Sequence, residues 1–519
     1  MEQRRLLLVV VISLVILVSY NELVLKQYRH PRPAAAPGLP ADSPPLAPVD
    51  GGVPKPASDL TAPSDGQDLI VVETDLVRAV LTPVGARLKN LYLKQYRRSV
   101  DPDSDMLNLV DDAAILPLTL QLGPKASDAA LRYKPDRTGM ELRGSERGEI
   151  AFIGETAGLR LEKRFIFTAD NYLFLVETRV SGPETPQSVG LVMTPMPVDI
   201  ASSRVHEVAI ALDGHSLIQE SATDLLKKPQ DLRASAWGGF GVQYFLAAAV
   251  PVPPPAPSSM TAVDGLPVVR IDVPVVQGEA KFAVFMGPKA PDILARAGLG
   301  LDRALDFGWF WFVAIPLLQG MKWLHTVTGN YGVSIILLTT IVKIATIPLT
   351  RTTFRNMREM QRIQPQIQKL RERFKDDQVA LQKETMELYR RHHVNPLSGC
   401  LPMVLQLPIF VGLYNALQHA IELRHAPFAL WINDLSAPDR LMIAGFGVPV
   451  LTILMGVSMF VQQWLTPQQG DPTQQRMMMI MPLIFTFMFI NFPAGLVLYW
   501  LVNNVLTIGQ QYWMMRSSA

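Results

Sequence analysis

One lysine lies where a charged side chain is costly. Lys343 stands within residues 334–349, SIILLTTIVKIATIPL, a stretch that is otherwise apolar. A helix over 331–349 is about 28 Å long at about 1.5 Å per residue, and Lys343 falls roughly 9 Å from its second end. An unpaired lysine at the centre of a bilayer costs about 2.5–3.5 kcal/mol. Two interpretations are open: the amine extends to the lipid headgroups, or it faces a wet cavity within the membrane.

Uncharged polar residues accompany Lys343. Thr339 and Thr340 lie one turn earlier, and the later apolar segments contain Gln406, Asn415, Gln418, Gln462, Gln463, Asn503, Asn504 and Gln510. In hydrocarbon such groups must be satisfied by one another or by water, so hydrogen bonds between helices explain part of the set. These segments contain no aspartate or glutamate. A coupled transporter usually needs a titratable carboxylate or a dedicated ion site at this depth, which argues against ion-coupled transport.

Motifs for covalent or metal chemistry are missing from the sequence. His206-Glu207 lacks the second histidine of a zincin helix, and neither Gly-x-Ser-x-Gly nor a phosphate-binding loop occurs. The single cysteine, Cys400, excludes a disulfide framework and a multi-thiolate zinc site. We therefore expect no enzyme activity, no catalytic residues, no metal site and no cofactor.

The composition indicates a chain with both lipid-embedded and aqueous parts. Of the 519 residues, 49% are hydrophobic. The mean hydropathy of +0.19 is high for a soluble protein and low for a pure membrane bundle. The net charge of +2 is too small to indicate a nucleic-acid partner. The positions of the positive charges are therefore more informative than their sum.

The first 67 residues predict an anchor and a linker. Residues 1–28 contain one apolar run, preceded by Arg4 and Arg5, which predicts a transmembrane anchor with its N-terminus in the cytoplasm. Residues 29–67 hold ten prolines among small and polar residues. Such a stretch cannot bury enough apolar surface to fold, so we expect an extended, semi-stiff linker.

Residues 68–290 are predicted to form an all-β domain. Short runs of alternating apolar and polar residues are separated by turn residues such as Ala169-Asp170-Asn171, a pattern typical of a many-stranded antiparallel sandwich. Because the domain follows an anchor with a cytoplasmic N-terminus, it is expected outside the cytoplasm. The clearest predicted strands are 69–72, 77–81, 164–167, 172–180, 268–273 and 281–286.

Residues 291–328 are expected to lie along the outer membrane surface. Apolar residues in 291–305 recur on one face of a helix, which predicts a single amphipathic helix. The aromatic run 309–312 and Trp323 follow, and such side chains favour the headgroup region.

Five apolar segments within residues 329–513 predict membrane-spanning helices, which makes six spans with the anchor. One of them, 478–492, is short, so either the bilayer is thin there or the helix extends back into 474–477. The five segments cover about 331–349, 401–420, 442–463, 478–492 and 494–513.

The charges of the loops predict the orientation of these spans. Loop 351–393 contains eleven Lys or Arg residues and is therefore expected in the cytoplasm. Its apolar residues recur at helical spacing on both sides of Asp376-Asp377, which predicts a basic helical hairpin, either a solvated spacer or a docking arm for a partner or nascent chain. Loop 421–441 has few basic residues and is expected outside. Both chain ends are then cytoplasmic, the second being the short tail 514–519.

Five stretches of the region 309–513 resemble the YidC family of membrane protein insertases. The N-terminal anchor, the linker and the β domain are similar to the Gram-negative form of that family. The resemblance implies a bacterial inner-membrane protein whose periplasmic domain has a β-supersandwich fold similar to sugar-binding and mutarotase domains. The stretches are GNYGVSIILLTTIVKIATIPLT (329–350), QPQIQKLRERFKDD (364–377), LYRRHHVNPLSGCLPMVLQLPIFVGLYNAL (388–417), ELRHAPFALWINDLS (422–436) and FPAGLVLYWLVNNVLTIGQQ (492–511).

The resemblance also implies a groove. Members of the family hold a positively charged hydrophilic groove within the inner leaflet, open to the cytoplasm and to lipid. The charge is usually an arginine, and Lys343 takes that position here; it keeps the charge but lacks the bidentate fork of a guanidinium. Thr339 and Trp500 fall at groove positions, Trp500 where a tyrosine is more usual. Residues matching the path of a substrate helix along the third and fifth spans are Leu407, Phe410, Ile484 and Met488.

The function that the resemblance implies is that of an insertase and chaperone. It would insert and fold inner-membrane proteins, alone or together with the Sec translocon. The implied partners are nascent membrane proteins, the Sec translocon, the ribosome and membrane lipids, and the short tail predicts only a weak ribosome contact. A secondary transporter is the alternative, and it predicts an internal repeat and broken helices. A carbohydrate-active β domain would need a histidine and carboxylate pair, with only His206 and His215 available.

Overall fold

The computed structural model describes most of the chain from residue 68 to residue 516. The predicted anchor and linker lie outside the described residues. Two compact units are present, one within residues 68–306 and one within 307–516. Gaps in the description are 102, 111–114, 124–125, 157, 184, 198–206, 264, 348–361, 375–376, 393–400 and 466–471.

The first unit is a β-sandwich of two sheets with two short α-helices, α1 (Ala222–Lys227) and α2 (Pro291–Ala297). Its strands are β1 (Ile70–Glu73), β2 (Val77–Thr82), β3 (Arg87–Arg97), β4 (Met106–Asn108), β5 (Thr119–Gln121), β6 (Lys134–Pro135), β7 (Gly139–Glu141), β8 (Arg147–Thr156), β9 (Leu159–Thr168), β10 (Leu173–Ser181), β11 (Ser188–Met193), β12 (Val208–Asp213), β13 (Ser216–Ser221), β14 (Gln230–Gly241), β15 (Phe245–Val252), β16 (Ala256–Val263), β17 (Leu266–Pro274) and β18 (Glu279–Pro288).

The smaller sheet has five strands in the order β4-β3-β2-β1-β7. The larger has thirteen, in the order β5-β11-β17-β16-β14-β15-β18-β10-β9-β8-β6, with β12 and β13 attached to β14. Strands β1 and β7 pair in parallel, whereas β9 and β10 are antiparallel to their neighbours. The rings of Tyr96 on β3 and Phe245 on β15 meet edge to face at 5.5 Å, so the two sheets pack against each other.

The predicted β-rich domain is therefore present. Each of the six predicted strands overlaps one observed strand, namely β1, β2, β9, β10, β17 or β18. Alternation is clearest in β10, whose burial alternates residue by residue from Leu173 to Ser181, whereas β2 and β18 are buried over most of their length.

The prediction of one amphipathic helix over 291–305 is wrong. Helix α2 spans only Pro291–Ala297, and a 3-10 turn follows over Leu301–Ala304. Gly298, Leu299 and Gly300 between them all have positive φ, at 67°, 58° and 73°. Three consecutive residues in that region cannot continue a right-handed helix, so the apolar periodicity is interrupted by the backbone.

The second unit is mainly helical. Its described helices are α3 (Trp311–Thr328), α4 (Tyr331–Ala345), α5 (residues 362–373), α6 (Gln378–Arg391), α7 (Leu401–His419), α8 (Val450–Leu465), α9 (Pro472–Phe489) and α10 (Ala494–Arg516). Helix α3 packs against α4 and α7, α10 packs against α4, α7 and α8, and α8 packs against α9. Helix α9 extends back beyond 478, as one of the two alternatives for that segment predicted. Among the residues that the structure describes, no helix combines the length and the apolar character needed for a bilayer crossing.

Helices α5 and α6 form the described part of the basic hairpin. Ile363 and Ile367 of α5 are buried, and Leu388 and Tyr389 of α6 pack against them. Asp377 begins α6, and its carboxylate accepts hydrogen bonds from two backbone N–H groups of the first turn. The turn predicted at the paired aspartates is thus the N-cap of α6, while residues 351–361 lie outside the described residues.

The prediction of a helix over 442–463 is wrong at its start. Residues 441–448 form a two-stranded antiparallel hairpin, β19 (Leu441–Ile443) with β20 (Phe446–Val448). Ala444 and Gly445 in the turn have φ of 50° and 85°, as a two-residue hairpin turn of this hand requires. Helix α8 begins only after Pro449. A continuous apolar run does not by itself distinguish a strand from a helix, so hydropathy missed the hairpin.

Candidate functional site

The side chain of Lys343 on α4 reaches the neighbouring helix α10. Its Nζ donates a hydrogen bond to Asn503 Oδ1 at 3.2 Å, and the lysine is half-buried. No carboxylate among the described residues forms an ion pair with Lys343. The ammonium has three N–H donors and Asn503 accepts one of them, so the site is a cation held by a neutral partner.

The start of α4 is fixed by two hydrogen bonds of Asn330. Its side chain accepts from the backbone N–H of Val333, which caps the helix, and its Nδ2 donates to the carbonyl of Phe428 at 2.9 Å. Gly332 lies against the Phe428 ring, where a Cβ would come within 2.0 Å of a ring carbon. These contacts set the rotation of α4 and hence the face on which Lys343 stands.

Thr339 lies four residues before Lys343, on the same side of α4. It is buried, and its hydroxyl donates to the carbonyl of Ile335 at 2.6 Å. Thr340 makes the equivalent bond to Ile336 at 2.8 Å. Both hydroxyls therefore donate their hydrogen bond within the helix, and each hydroxyl oxygen can still accept a hydrogen bond from another group.

Polar residues continue from Asn503 along α10. Thr507 and Gln510 follow at spacings of four and three residues, which places all three on one side of the helix. Thr507 donates to the carbonyl of Asn503 at 2.6 Å. The buried side-chain amide of Gln510 finds no hydrogen-bond partner among the residues that the structure describes. A buried amide is costly when unsatisfied, so Gln510 retains unused hydrogen-bonding capacity on this side of α10.

Trp500 stands one turn before Asn503 and forms the centre of an aromatic cluster. Its ring meets Phe410 of α7 at 4.6 Å and 75°, and Phe489 of α9 at 4.9 Å and 68°. Phe485 of α9 lies 6.0 Å away. The structure therefore brings together two residues named by the resemblance, Phe410 and Trp500, and places them next to the partner of Lys343.

The other residues named by the resemblance are exposed. Leu407 on α7 is 54% exposed, and Ile484 and Met488 on α9 are 45% and 49% exposed. Leu407 lies three residues before Phe410, whereas Ile484 and Met488 are one turn apart. These exposed apolar side chains lie on α7 and α9, the two helices whose aromatic rings contact Trp500.

Other polar residues of this unit make hydrogen bonds within the unit and are not available to a substrate. Asn504 is buried and its Nδ2 donates to Ser458 of α8 at 3.0 Å. Asn415 of α7 donates to the carbonyl of Phe307 at 2.7 Å. Hydrogen bonds of this kind account for some of the uncharged polar residues in the apolar segments. From the sequence alone, Asn503 could not be distinguished from these structural residues.

The β-sandwich holds a buried ion pair that the sequence did not indicate. Lys163 Nζ and Asp128 Oδ2 are 3.3 Å apart and both side chains are fully buried. The ammonium also donates to the carbonyls of Gly85 and Leu118. Burial lowers the pKa of Lys163 to about 8 although Asp128 opposes this, and burial raises the pKa of the Asp128 carboxyl.

Of the two histidines available for carbohydrate chemistry, the structure describes only His215. His215 is exposed in the turn between β12 and β13, and His206 lies outside the described residues. Within the described ranges, no group of three or more His, Cys, Asp or Glu side chains is arranged to hold a metal ion.

Comparisons with known proteins cover the whole chain. The family of the 60Kd inner membrane protein matches residues 323–519, and the YidC periplasmic domain matches residues 69–319. A protein of Maridesulfovibrio salexigens named membrane protein insertase YidC is 36% identical, over 100% of this chain and 99% of its own. A protein of the same name from Syntrophus aciditrophicus is 37% identical, over 98% and 99%.

A solved structure also matches most of the chain. The crystal structure of an active YidC insertase with its first transmembrane domain resolved is 21% identical, covers 88% of this chain and 95% of its own, and has a TM-score of 0.38. The sequence relatives decide the family, because their identity is sustained from one end of the chain to the other. This chain belongs to the YidC family of membrane protein insertases, which are inner-membrane proteins with a periplasmic domain.

Proposed function

We propose that this insertase admits the polar part of a nascent membrane protein into a hydrophilic, positively charged groove between α4 and α10. The observation that supports it most is the contact of Lys343 with Asn503, a neutral residue. A lysine held by a carboxylate would be neutralised within the protein. Held by an amide, it keeps its net charge and two of its N–H donors for water or for a substrate.

The groove has a polar side and an apolar side. Asn503, Thr507 and Gln510 supply hydrogen-bonding groups over about 10 Å of α10, at about 1.5 Å per residue. We place this end of α10 towards the cytoplasm, since the positive-inside rule puts loop 351–393 and the tail there. Water entering along this side would reach Lys343 partway into the bilayer and shorten the hydrocarbon path of roughly 30 Å.

The positive charge favours acidic segments. Two unit charges about 5 Å apart attract each other by roughly 3 kcal/mol at an effective dielectric constant near 20, an upper bound for a wet site. Lysine supplies the positive charge but cannot form the bidentate hydrogen bonds of an arginine. Recognition of an acidic segment therefore depends on its charge and not on the orientation of its carboxylate. An acidic translocated tail would therefore be held briefly in the groove.

The apolar side receives the hydrophobic helix of the substrate. Leu407, Ile484 and Met488 are exposed beside the cluster of Phe410 and Trp500. An apolar helix sliding along this surface stays out of water until it enters lipid, and its partition into lipid releases it. Neither a nucleotide nor a covalent step is required.

The layout we propose has six spans with both ends in the cytoplasm. It comprises an anchor (1–28), a linker (29–67), a periplasmic β-supersandwich (68–290), an interfacial segment (291–328) and the insertase core (329–513). Within the core, residues 351–393 form a docking arm, and the tail is 514–519. Interfacial placement is supported by four exposed side chains, Trp309, Trp311, Phe312 and Trp323. Proposed partners are nascent membrane proteins, the Sec translocon, membrane lipids and, weakly through the tail, the ribosome.

The charge of Lys343 is tested in cells depleted of the native protein and supplied with Lys343→Ala, Lys343→Glu or Lys343→Arg. We measure insertion of two single-span proteins that differ only in an acidic or a neutral translocated tail. Alanine should slow insertion of the acidic tail, glutamate should slow it more, and arginine should preserve it. The neutral tail should respond less.

The matched control is Lys134→Ala, which removes one exposed positive charge from β6 of the β-sandwich. It should leave both substrates unaffected. Normal insertion of the acidic tail by both Lys343→Ala and Lys343→Glu would refute the role of the charge.

A further inference from the structure

The hairpin of β19 and β20 exposes an apolar tip. Met442, Ile443 and Phe446 are 66%, 52% and 77% exposed. The eight residues 441–448 include no charged side chain. Two-stranded edges that face water are usually protected by charges or proline, because a bare apolar edge promotes aggregation. This tip lacks such protection, so it needs a covering.

The base of the hairpin is held firmly. Arg440 donates to the carbonyl of Ile490 at 2.7 Å and to Asn491 Oδ1 at 2.9 Å. The backbone N–H groups of Ala494 and Gly495 each donate at 2.8 Å to carbonyls of the segment just before Arg440. These bonds tie the hairpin to the turn between α9 and α10 and hold its position relative to the bundle.

Three helix ends meet at this base. Helix α8 begins two residues after β20, and α9 ends and α10 begins at the turn to which Arg440 is bonded. The buried carboxylate of Asp439 accepts hydrogen bonds from the backbone of Leu451 and Thr452 in α8 and from Trp431 Nε1. The hairpin therefore projects from the end of the bundle that the proposed layout places at the outer membrane surface.

We propose that this tip inserts into the outer leaflet, with Met442, Ile443 and Phe446 at the boundary between headgroups and acyl chains. The proposal rests on the proposed orientation of the spans. A strand of three residues reaches about 10 Å, so the tip stays close to the helix ends. Lipid fits better than an ionic protein surface, because the tip offers no charge for such a surface to recognise.

The chemistry of the hairpin also limits its depth. Each of its two strands has one edge without a partner strand in the described structure. Hydrocarbon cannot satisfy the N–H and carbonyl groups along such edges, whereas water and headgroups can. The apolar side chains reach the acyl boundary while the backbone stays among the headgroups. The hairpin then fixes how deeply the adjoining ends of α8, α9 and α10 lie in the outer leaflet.

Fluorescence quenching tests this placement in the full chain. Cys400→Ser removes the native thiol, Phe446→Cys is labelled with an environment-sensitive dye, and the protein is reconstituted in phosphatidylethanolamine and phosphatidylglycerol vesicles. Lipids with a nitroxide at carbon 5 should quench the dye several-fold more than lipids with one at carbon 12. Aqueous iodide should quench it weakly.

The matched control is Val276→Cys. Val276 is 65% exposed in another tight turn, where Gln277 and Gly278 both have positive φ, but it belongs to the β-sandwich. Its dye should be quenched by iodide and not by the lipid nitroxides. If the dye at 446 behaves like the dye at 276, the proposal is refuted. Shielding from iodide without quenching by either lipid would show that protein covers the tip, and this also refutes it.

Orientation is measured separately by labelling the exposed Ala429→Cys in intact cells with a membrane-impermeant maleimide. Labelling from outside, combined with no lipid quenching at position 446, refutes the hairpin proposal and leaves the proposed function intact. Labelling only after the inner membrane is opened refutes the orientation, and the outer-leaflet placement with it.

Discussion

Replacing Asp128 should destabilise the β-sandwich by about 3–5 kcal/mol, because it leaves the ammonium of Lys163 in the interior without a charged partner. The magnitude can be built from the structure. A fall in the pKa of Lys163 from 10.5 to about 8 corresponds to a burial cost of roughly 3 kcal/mol with Asp128 still in place. Without the carboxylate the pKa falls further, until the amine is neutral near pH 7.

The carboxylate has two further roles that Asp128→Asn separates from its charge. It accepts hydrogen bonds from the backbone N–H of Leu120 at 2.7 Å and from the hydroxyl of Tyr133 at 3.0 Å. Each is worth about 0.5–1.5 kcal/mol, and an asparagine oxygen can retain one of them. We expect the cost of Asp128→Asn to lie at the lower end of the range of about 3–5 kcal/mol and that of Asp128→Ala at its upper end.

The assay is a double-mutant cycle with Lys163→Met. Hydrogen exchange of peptides from β9, measured by mass spectrometry on the full chain in detergent, gives the free energy of opening. The double variant Asp128→Asn with Lys163→Met should be at least 2 kcal/mol more stable than the sum of the single effects predicts. Additive effects would contradict the reasoning, because they would mean that the two buried charges do not depend on each other.

Two further predictions concern one side chain in each unit. Burial lowers the pKa of Lys289 to about 8, so the unfolded chain holds this proton at higher pH than the folded chain and stability should rise between pH 8 and about 10.5. Lys289→Met should raise the free energy of unfolding at pH 7 by about 1–3 kcal/mol. It should also reduce the rise in stability above pH 8 to the part that Lys163 contributes, as urea titrations at several pH values would show. An unchanged pH profile would contradict this prediction. Gly332→Ala should lower the thermal stability by about 1–3 kcal/mol, because the new Cβ overlaps the Phe428 ring. The control Gly509→Ala should not lower it, because a Cβ at that position meets nothing within 4 Å. Equal melting temperatures of the two variants would contradict the described contact of Gly332 with Phe428.

The sequence predicted six strands of the sandwich, most clearly β10, which buries one face. It did not indicate β15, Phe245–Val252, whose first seven residues are all buried and which contains three consecutive alanines. A strand covered on both faces shows no alternation, and alanine is as common in helices as in strands. The same ambiguity concealed the hairpin at 441–448.

For the candidate site, the sequence located the cation but not its surroundings. Lys343 stands out because its charge interrupts an apolar run. Its partner Asn503 is 160 residues away, and nothing local distinguishes it from Asn504, which instead bonds to Ser458. Which of two adjacent amides faces the lysine depends on the rotation of α10 against α4, a tertiary property. The pairing of Lys163 with Asp128 was equally invisible, because it joins β9 to the loop after β5, 35 residues earlier in the chain.

The central claim is that water reaches a cation partway into the bilayer from the cytoplasmic side. The most direct test uses the variant Lys343→Cys in a Cys400→Ser background. The rate at which its thiol reacts with a cationic methanethiosulfonate is measured in inside-out vesicles. Only a hydrated thiol ionises and reacts, so the rate reports access of water to position 343. Lys383→Cys provides the exposed reference, and Leu483→Cys, at a site 74% exposed on the apolar side of α9, provides the lipid-facing one. We predict that position 343 reacts within about tenfold of the rate at 383, a difference of about 1.4 kcal/mol in barrier. A rate at 343 as low as the rate at 483 would contradict the account.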